Sequence, residues 1–281
     1  LEVKRLAKQG QVEILGGLFY GGVPSMMAEL DVRGQVEMLG EYWESLTGVA
    51  PDGFWMPKRV WSTELVRLMD DSGLRYGYVG SRQLLGLDGT VPPIGTLSRG
   101  GLRMPAFVLY EALSDALTCA EVSEWIDLLL SAAQHRELTT IWLDTRLWRT
   151  DEDVRRRVFD GGWLERLLNE IGGARAELHG VLPAKAFELG RPAVRLRLIE
   201  PCQPNESTAS ALHDVIETHP GVAQLSMRMH RASDKLREAI TMMEEESLED
   251  TWSDGLATAQ RLVFAAQAPD AYLPPSDRDP Q

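Results

Sequence analysis

The run Gly53-Phe54-Trp55-Met56-Pro57-Lys58-Arg59-Val60-Trp61 reads as a short β segment, Gly53 to Met56, that hands over to a helix, because Leu65, Leu68 and Met69 then recur at helical spacing behind Ser62. The same alternation continues on both sides. Upstream, Val12 to Leu15 is a β run, and Val32, Val36, Leu39, Trp43 and Leu46 step along a helix with Asp31 as its expected N-cap. Downstream, β runs are expected at Tyr76 to Val79, Phe107 to Tyr110 and Thr139 to Asp144, separated by helices over Ala116 to His135 and Asp151 to Ile171, the latter bent at Gly161-Gly162. Repeated βα units predict an α/β domain with a mostly parallel sheet.

Past about Asn205 the β signal ends. Val222, Leu225, Met229, Ala232, Leu236, Ile240 and Met243 recur at intervals of three and four, which predicts a helical subdomain. The expected organisation is therefore an α/β domain over 1–200, helices over 205–270, and a tail over 271–281 that is too rich in Pro and Asp to order. Glu244 to Glu246 reads as a solvated helix end.

The chain has 281 residues, 44% hydrophobic and 25% charged, and a net charge of −13. That balance disfavours phosphate-backbone binding and adhesion to anionic membranes, both of which need clustered cations. Cys119 and Cys202 lack metal or redox spacing, and no apolar stretch approaches the roughly 20 residues of a membrane span. Cytoplasmic location is the expectation. His135, His179, His213, His219 and His230 are dispersed, so no metal is implied, and no Gly-rich loop suggests a nucleotide cofactor.

In βα folds the strand ends carry the chemistry, so polar and aromatic residues closing each β run are the candidates. Glu13, Lys58 with Trp55, Arg59 and Trp61, and Asp144 with Trp142 and Arg146 meet that test. Each has a bland alternative: an Asp caps the next helix, a Lys faces water, a tryptophan packs the core. Indole faces also stack on the apolar faces of pyranose rings, and Trp55, Trp61, Trp142, Trp148 and Trp163 are many for one region.

Those same runs resemble glycoside hydrolase family 57, whose members act on α-glucans. Gly10-Gln11-Val12-Glu13-Ile14-Leu15 is similar to the family's second segment, although Gly21-Gly22 stands where Glu-Pro usually follows. Trp55, Arg59, Val60 and Trp61 match the third, with Lys58 in place of the nucleophilic glutamate. Leu143-Asp144-Thr145-Arg146-Leu147-Trp148-Arg149 corresponds to an Asp-Asp-Gly-Glu-Lys-Phe-Gly run, which puts Asp144 on the catalytic acid and removes the Gly, Glu and Phe. Gly161-Gly162-Trp163-Leu164, His219-Pro220, Met229, Ser233 and Ala266 to Tyr272 follow the pattern further, while Ala223, Ser226 and Leu273-Pro274-Pro275 depart from it.

The resemblance implies an incomplete (β/α)7 barrel followed by a helical subdomain, with strands expected upstream of Leu1 and a His-Gln-Pro segment there. Unpaired edges of such a sheet would call for upstream sequence, a partner or a second copy. It implies substrate contacts from Glu13, Trp55, Arg59, Trp61, Trp148 and Trp163, with an α-glucan or maltooligosaccharide as ligand. It also implies loss of activity. Retaining glycosidases use two carboxyl groups about 5 to 5.5 Å apart, one of them an anionic nucleophile, and a lysine offers a cation to a cationic transition state. Alternatives are an active amylase or glucanotransferase with a nucleophile from elsewhere, for which Glu64 and Asp70 are the nearest acids downstream, and a non-catalytic scaffold.

Overall fold

The computed structural model describes residues 2–56, 59, 61, 65–85, 91–117, 120–135, 137–143, 145, 148, 151–173, 178–186, 194–198, 216, 218–246, 249–269 and 272. In chain order the elements are α1 (Glu2–Lys8), β1 (Leu15–Gly16), α2 (Glu29–Thr47), β2 (Gly53–Phe54), α3 (Leu65–Asp71), β3 (Tyr76–Gly80), β4 (Ile94–Arg99), β5 (Leu102–Leu109), α4 (Glu111–Leu117), α5 (Val122–Ala133), α6 (Glu152–Arg155), α7 (Trp163–Gly173), α8 (Pro183–Ala186), α9 (Pro220–Glu246) and α10 (Glu249–Ala266). They fall into two compact units, one holding residues 1–75 with 200–278 and the other 76–199. The unit boundaries thus differ from the sequence expectation, because the C-terminal helices group with the first 75 residues.

In the first unit β1 and β2 pair in parallel, Leu15 with Gly53 and Gly16 with Phe54, and Trp55 N–H prolongs the ladder by donating to Gly16 O at 2.9 Å. α2 connects them, burying Val32 and Val36. It stops at Gly48, whose φ of +79° suits a left-handed cap and whose N–H donates to Glu44 O. Asp31 is not the N-cap. The helix begins at Glu29 behind Ala28, and Asp31 is buried inside its first turn, accepting from Ser233 Oγ and from Gln267 Nε2, each at 2.5 Å. Gln267 Oε1 in turn accepts from Gln35 Nε2 at 2.9 Å.

These polar partners rotate α9. Its buried residues are Ser226, Met229, Ser233 and Leu236, whereas Leu225 is exposed and Ala232 faces solvent. The stripe read from the sequence keeps Met229 and Leu236, while Ser226 is buried in place of Leu225 and Ser233 in place of Ala232; Ser233 is turned inward as a donor, since a buried carboxylate must be met by donors.

In the second unit β3 runs parallel to β5, and β4 runs antiparallel to β5 from Ile94↔Phe107 to Arg99↔Leu102. β4 was absent from the sequence reading. It is one arm of a hairpin closed by Gly100 and Gly101, whose φ values of +57° and +90° are those a two-residue turn demands. The far edge of β4 is taken by the chain itself: Thr96 N–H donates to Val194 O, and Leu196 N–H donates to Thr96 O. Gly95 leaves the space that Leu196 fills, since a Cβ there would lie 2.4 Å from it. The expected Thr139 to Asp144 strand is reduced to a parallel bridge between Leu109 and Thr140.

Tyr76, Tyr78 and Phe107 pack ring to ring between β3 and β5, at 5.3 and 5.4 Å to Phe107. A second buried cluster joins Leu113, Val122, Trp125, Ile126, Leu129, Val158, Trp163 and Leu167. The single helix expected from Ala116 to His135 is two, α4 and α5. Asp151 caps α6 by accepting from the N–H groups of Asp153 and Val154, a five-residue π-turn follows over Arg156–Asp160, and the chain bends at Gly161-Gly162 as expected. The α/β class stands; closure into a barrel is not traced by the ladders among the described residues. Among these residues no helix is long and apolar enough to cross a membrane.

Candidate functional site

Lys58 and Asp144, with Pro57, Val60, Glu64, Arg146 and the tail beyond Tyr272, lie outside the described residues. Their neighbours are described. Glu13 is half-buried just ahead of β1, and Trp55 is half-buried directly after β2. Arg59 is half-buried with φ +55°, the one non-glycine residue with positive φ among those described, and its N–H donates to Met56 O at 3.0 Å. A side chain in that region costs free energy and persists where surrounding structure holds it, often in functional segments.

Trp61 is 1% exposed, with Phe54 edge-on to it at 6.3 Å. Trp163 is 2% exposed in the cluster between α5 and α7. Both indoles are therefore covered by protein, and the bland reading of a packed tryptophan describes their placement. Trp142 and Trp148 are half-buried in the second unit. Trp142 N–H donates to Ser114 Oγ at 3.1 Å, so the segment leading to Asp144 is tied to the start of α4. Asp70 is exposed on α3, where it faces solvent.

One strand-end acid escaped the sequence reading. Glu111 opens α4 two residues past the end of β5 and is buried; its Oε2 accepts from Ser81 Oγ at 3.1 Å and from Arg82 N–H at 2.7 Å. Gly80 makes room for that carboxylate, because a Cβ at Gly80 would sit 2.8 Å from Glu111 Oε1. The test applied to Glu13 and Asp144 would have found it had the β run been followed one residue past Tyr110. No cluster of three His, Cys, Asp or Glu side chains suited to a metal occurs among the described residues.

The 4-α-glucanotransferase of Thermococcus litoralis has the same fold at a TM-score of 0.78 and 19% identity, over 97% of this chain and 46% of that one. A family 57-type branching enzyme from Pyrococcus horikoshii follows at 0.72 and 15%, over 96% of this chain and 61% of that one. The chain belongs to glycosyl hydrolase family 57, whose sequence model matches residues 2–196. Among curated relatives, α-amylase 1 of Dictyoglomus thermophilum is 23% identical over 175 residues, which is 60% of this chain and 26% of the relative. An α-amylase of Pyrococcus abyssi is 27% identical over 189 residues, 62% of this chain and 27% of the relative. The chain thus spans about a quarter of the length of these relatives.

Proposed function

We propose that this family 57 chain binds α-glucan and has lost the retaining chemistry that cleaves or transfers it. The observation that carries the reading is Lys58, which the resemblance of Trp55, Arg59 and Trp61 to the family's third segment aligns with the nucleophilic glutamate. A carboxylate there attacks the anomeric carbon and offsets positive charge in the transition state. An ammonium does neither, and it favours the ionised form of a nearby acid that must arrive protonated.

Supporting the glucan half of the proposal, relatives matched by this chain are named α-amylase and 4-α-glucanotransferase. Of the two acids weighed as a substitute nucleophile, Asp70 is exposed on α3. The test is a titration of the purified chain with maltoheptaose, following tryptophan emission, in parallel with assays for new reducing ends and for disproportionation products. Saturable emission change with no product is expected; product formation refutes the loss of chemistry, and a flat emission refutes the binding.

A further inference from the structure

We propose that Gln35 of α2 is a positioning residue: it holds both central amides of the turn that follows β1 and, through that turn, sets the affinity of the strand-end face for its ligand. The turn is closed by Gly21 N–H donating to Leu18 O at 2.9 Å, with Gly21 at φ +67°. Its two central N–H groups end on one residue. Phe19 N–H donates to Gln35 O at 3.3 Å, and Tyr20 N–H donates to Gln35 Oε1 at 3.1 Å.

Gln35 is 0% exposed on a helix face it shares with Val32 and Val36, where a carboxamide is stable only when both its ends are paired. The other end is met from the C-terminal residues. Gln35 Nε2 donates to Gln267 Oε1 at 2.9 Å and to Phe264 O at 3.5 Å, and Gln267 Nε2 in turn donates to the Asp31 carboxylate. A donor on one side and two acceptors on the other leave the Gln35 carboxamide a single direction. Residues more than 200 positions away thus decide that an oxygen, not an NH2 group, faces the turn.

The turn stands at the carboxyl end of β1, which spans Leu15–Gly16, and in α/β sheets ligands bind outside the carboxyl ends of the strands. Gly17, between strand and turn, lies so close to the exit of β2 that a Cβ on it would be 3.1 Å from Trp55 O. Phe19 and Tyr20, half-buried and edge-on at 5.0 Å, ride on the turn. Shifting the turn therefore reshapes the face beside Trp55 without removing a side chain from it. Gln35, fully buried, touches no ligand and acts through the turn alone. That the ligand is an α-glucan rests on the proposed function.

The experiment compares Gln35→Met with Gln35→Glu in the full chain. Met keeps the shape and loses the acceptor; Glu keeps an acceptor for Tyr20 N–H and sets a buried charge against Gln267 Oε1. Stability is read from urea midpoints, the turn from the Tyr20 amide signal of nitrogen-15-labelled protein, and affinity from tryptophan emission during titration with maltoheptaose. A residue that only supports the fold ranks the variants alike in stability and affinity. The expected result separates the two: Gln35→Glu is the less stable yet keeps the Tyr20 signal and binds within about threefold of wild type, whereas Gln35→Met moves that signal and binds roughly five- to fiftyfold more weakly. Wild-type affinity or an unmoved Tyr20 signal in Gln35→Met overturns the inference, as does equal weakening by both variants. Should Gln35→Glu not fold, Thr47→Ala, which loses buried hydroxyl bonds at the far end of α2, is the destabilised reference; it is expected to bind as wild type, and weakening equal to that of Gln35→Met overturns the inference. A wild type that maltoheptaose leaves flat refutes the proposed function instead. The Tyr20 signal then decides alone: moved by Met and kept by Glu it upholds the positioning of the turn, and unmoved it overturns it.

Discussion

The Asp31 carboxylate and the Ser233 hydroxyl meet at 2.5 Å across 202 residues of sequence, with Gln267 Nε2 as the second donor to the same oxygen. Arg237 Nη1 donates to Ser233 Oγ at 3.0 Å and backs the pair. Replacing Asp31 by Ala leaves two buried donors unmet, so a loss of about 2 to 4 kcal/mol is expected in urea unfolding. Combining Asp31→Ala with Ser233→Ala should cost about 0.5 to 3 kcal/mol less than the sum of the two. Simple additivity would dissolve the coupling.

Two glycines of α2 separate packing from propensity. A Cβ at Gly34 would lie 2.6 Å from the ring of Phe264, which is 1% exposed, whereas one at Gly40 meets nothing within 4 Å. Gly40→Ala should stabilise by up to about 1 kcal/mol through helix propensity. Gly34→Ala should destabilise by about 1 to 3 kcal/mol despite the same gain. Thermal melts of both variants check the opposite signs.

Gly80 is required by Glu111 rather than by its own backbone, whose φ is −73°. Gly80→Ala drives a methyl onto a buried carboxylate and should cost about 1 to 3 kcal/mol. Introduced into Glu111→Ala, where the crowding is gone, the same change should be nearly silent. Equal costs in both backgrounds, read from unfolding midpoints, would place the strain elsewhere.

Tyr272 donates its hydroxyl to Ala266 O at 2.6 Å, and burial raises its pKa above the ordinary tyrosine value. The folded chain therefore holds this proton longer than the unfolded one. The resulting stability is fully present below the unfolded pKa near 10 and is lost as pH climbs through the higher folded value. Between about pH 8 and pH 11, wild type should lose more stability than Tyr272→Phe; an identical loss would remove Tyr272 from the alkaline transition.

On the proposed reading, a carboxylate at position 58 alone does not give turnover. Lys58→Glu leaves Arg146 in place of the family's glutamate and Thr145 in place of its glycine, so no new reducing ends are expected from maltoheptaose. Turnover by that single variant would reduce the whole loss to one residue.

What could be read from the sequence was local. The β3 and β5 runs, the bend at Gly161-Gly162 and the helical C-terminal region follow from periodicity and breakers within one window. The sequence suggests a cap at Asp31 because an acid before a helical stripe usually is one; its partners Ser233 and Gln267 are more than 200 residues away. The serine side of α9 is hidden for the same reason, as Ser233 looks like a solvent-facing residue until the carboxylate it donates to is known. β4 is not legible from periodicity, because Ile94 to Arg99 lacks a strong apolar alternation, although Gly100-Gly101 announces a hairpin. At the candidate site, tryptophan identity was legible and tryptophan exposure was not: Trp61 and Trp163 pack inward.

The separation of Asp31 from Gln267, 236 residues, also sets a clock. During synthesis at about 5 to 20 residues per second, Asp31 leaves the ribosome on the order of 10 to 50 s before its acceptor site can be filled. Through that interval the first βα segment is present with its acid hydrated, while all of residues 76–199 emerge and can collapse on their own contacts. Residues 76–199 are thus free to fold before residues 1–75 are completed, and a ribosome that stalls short of Gln267 would leave the segment around Asp31 as a part open to proteases.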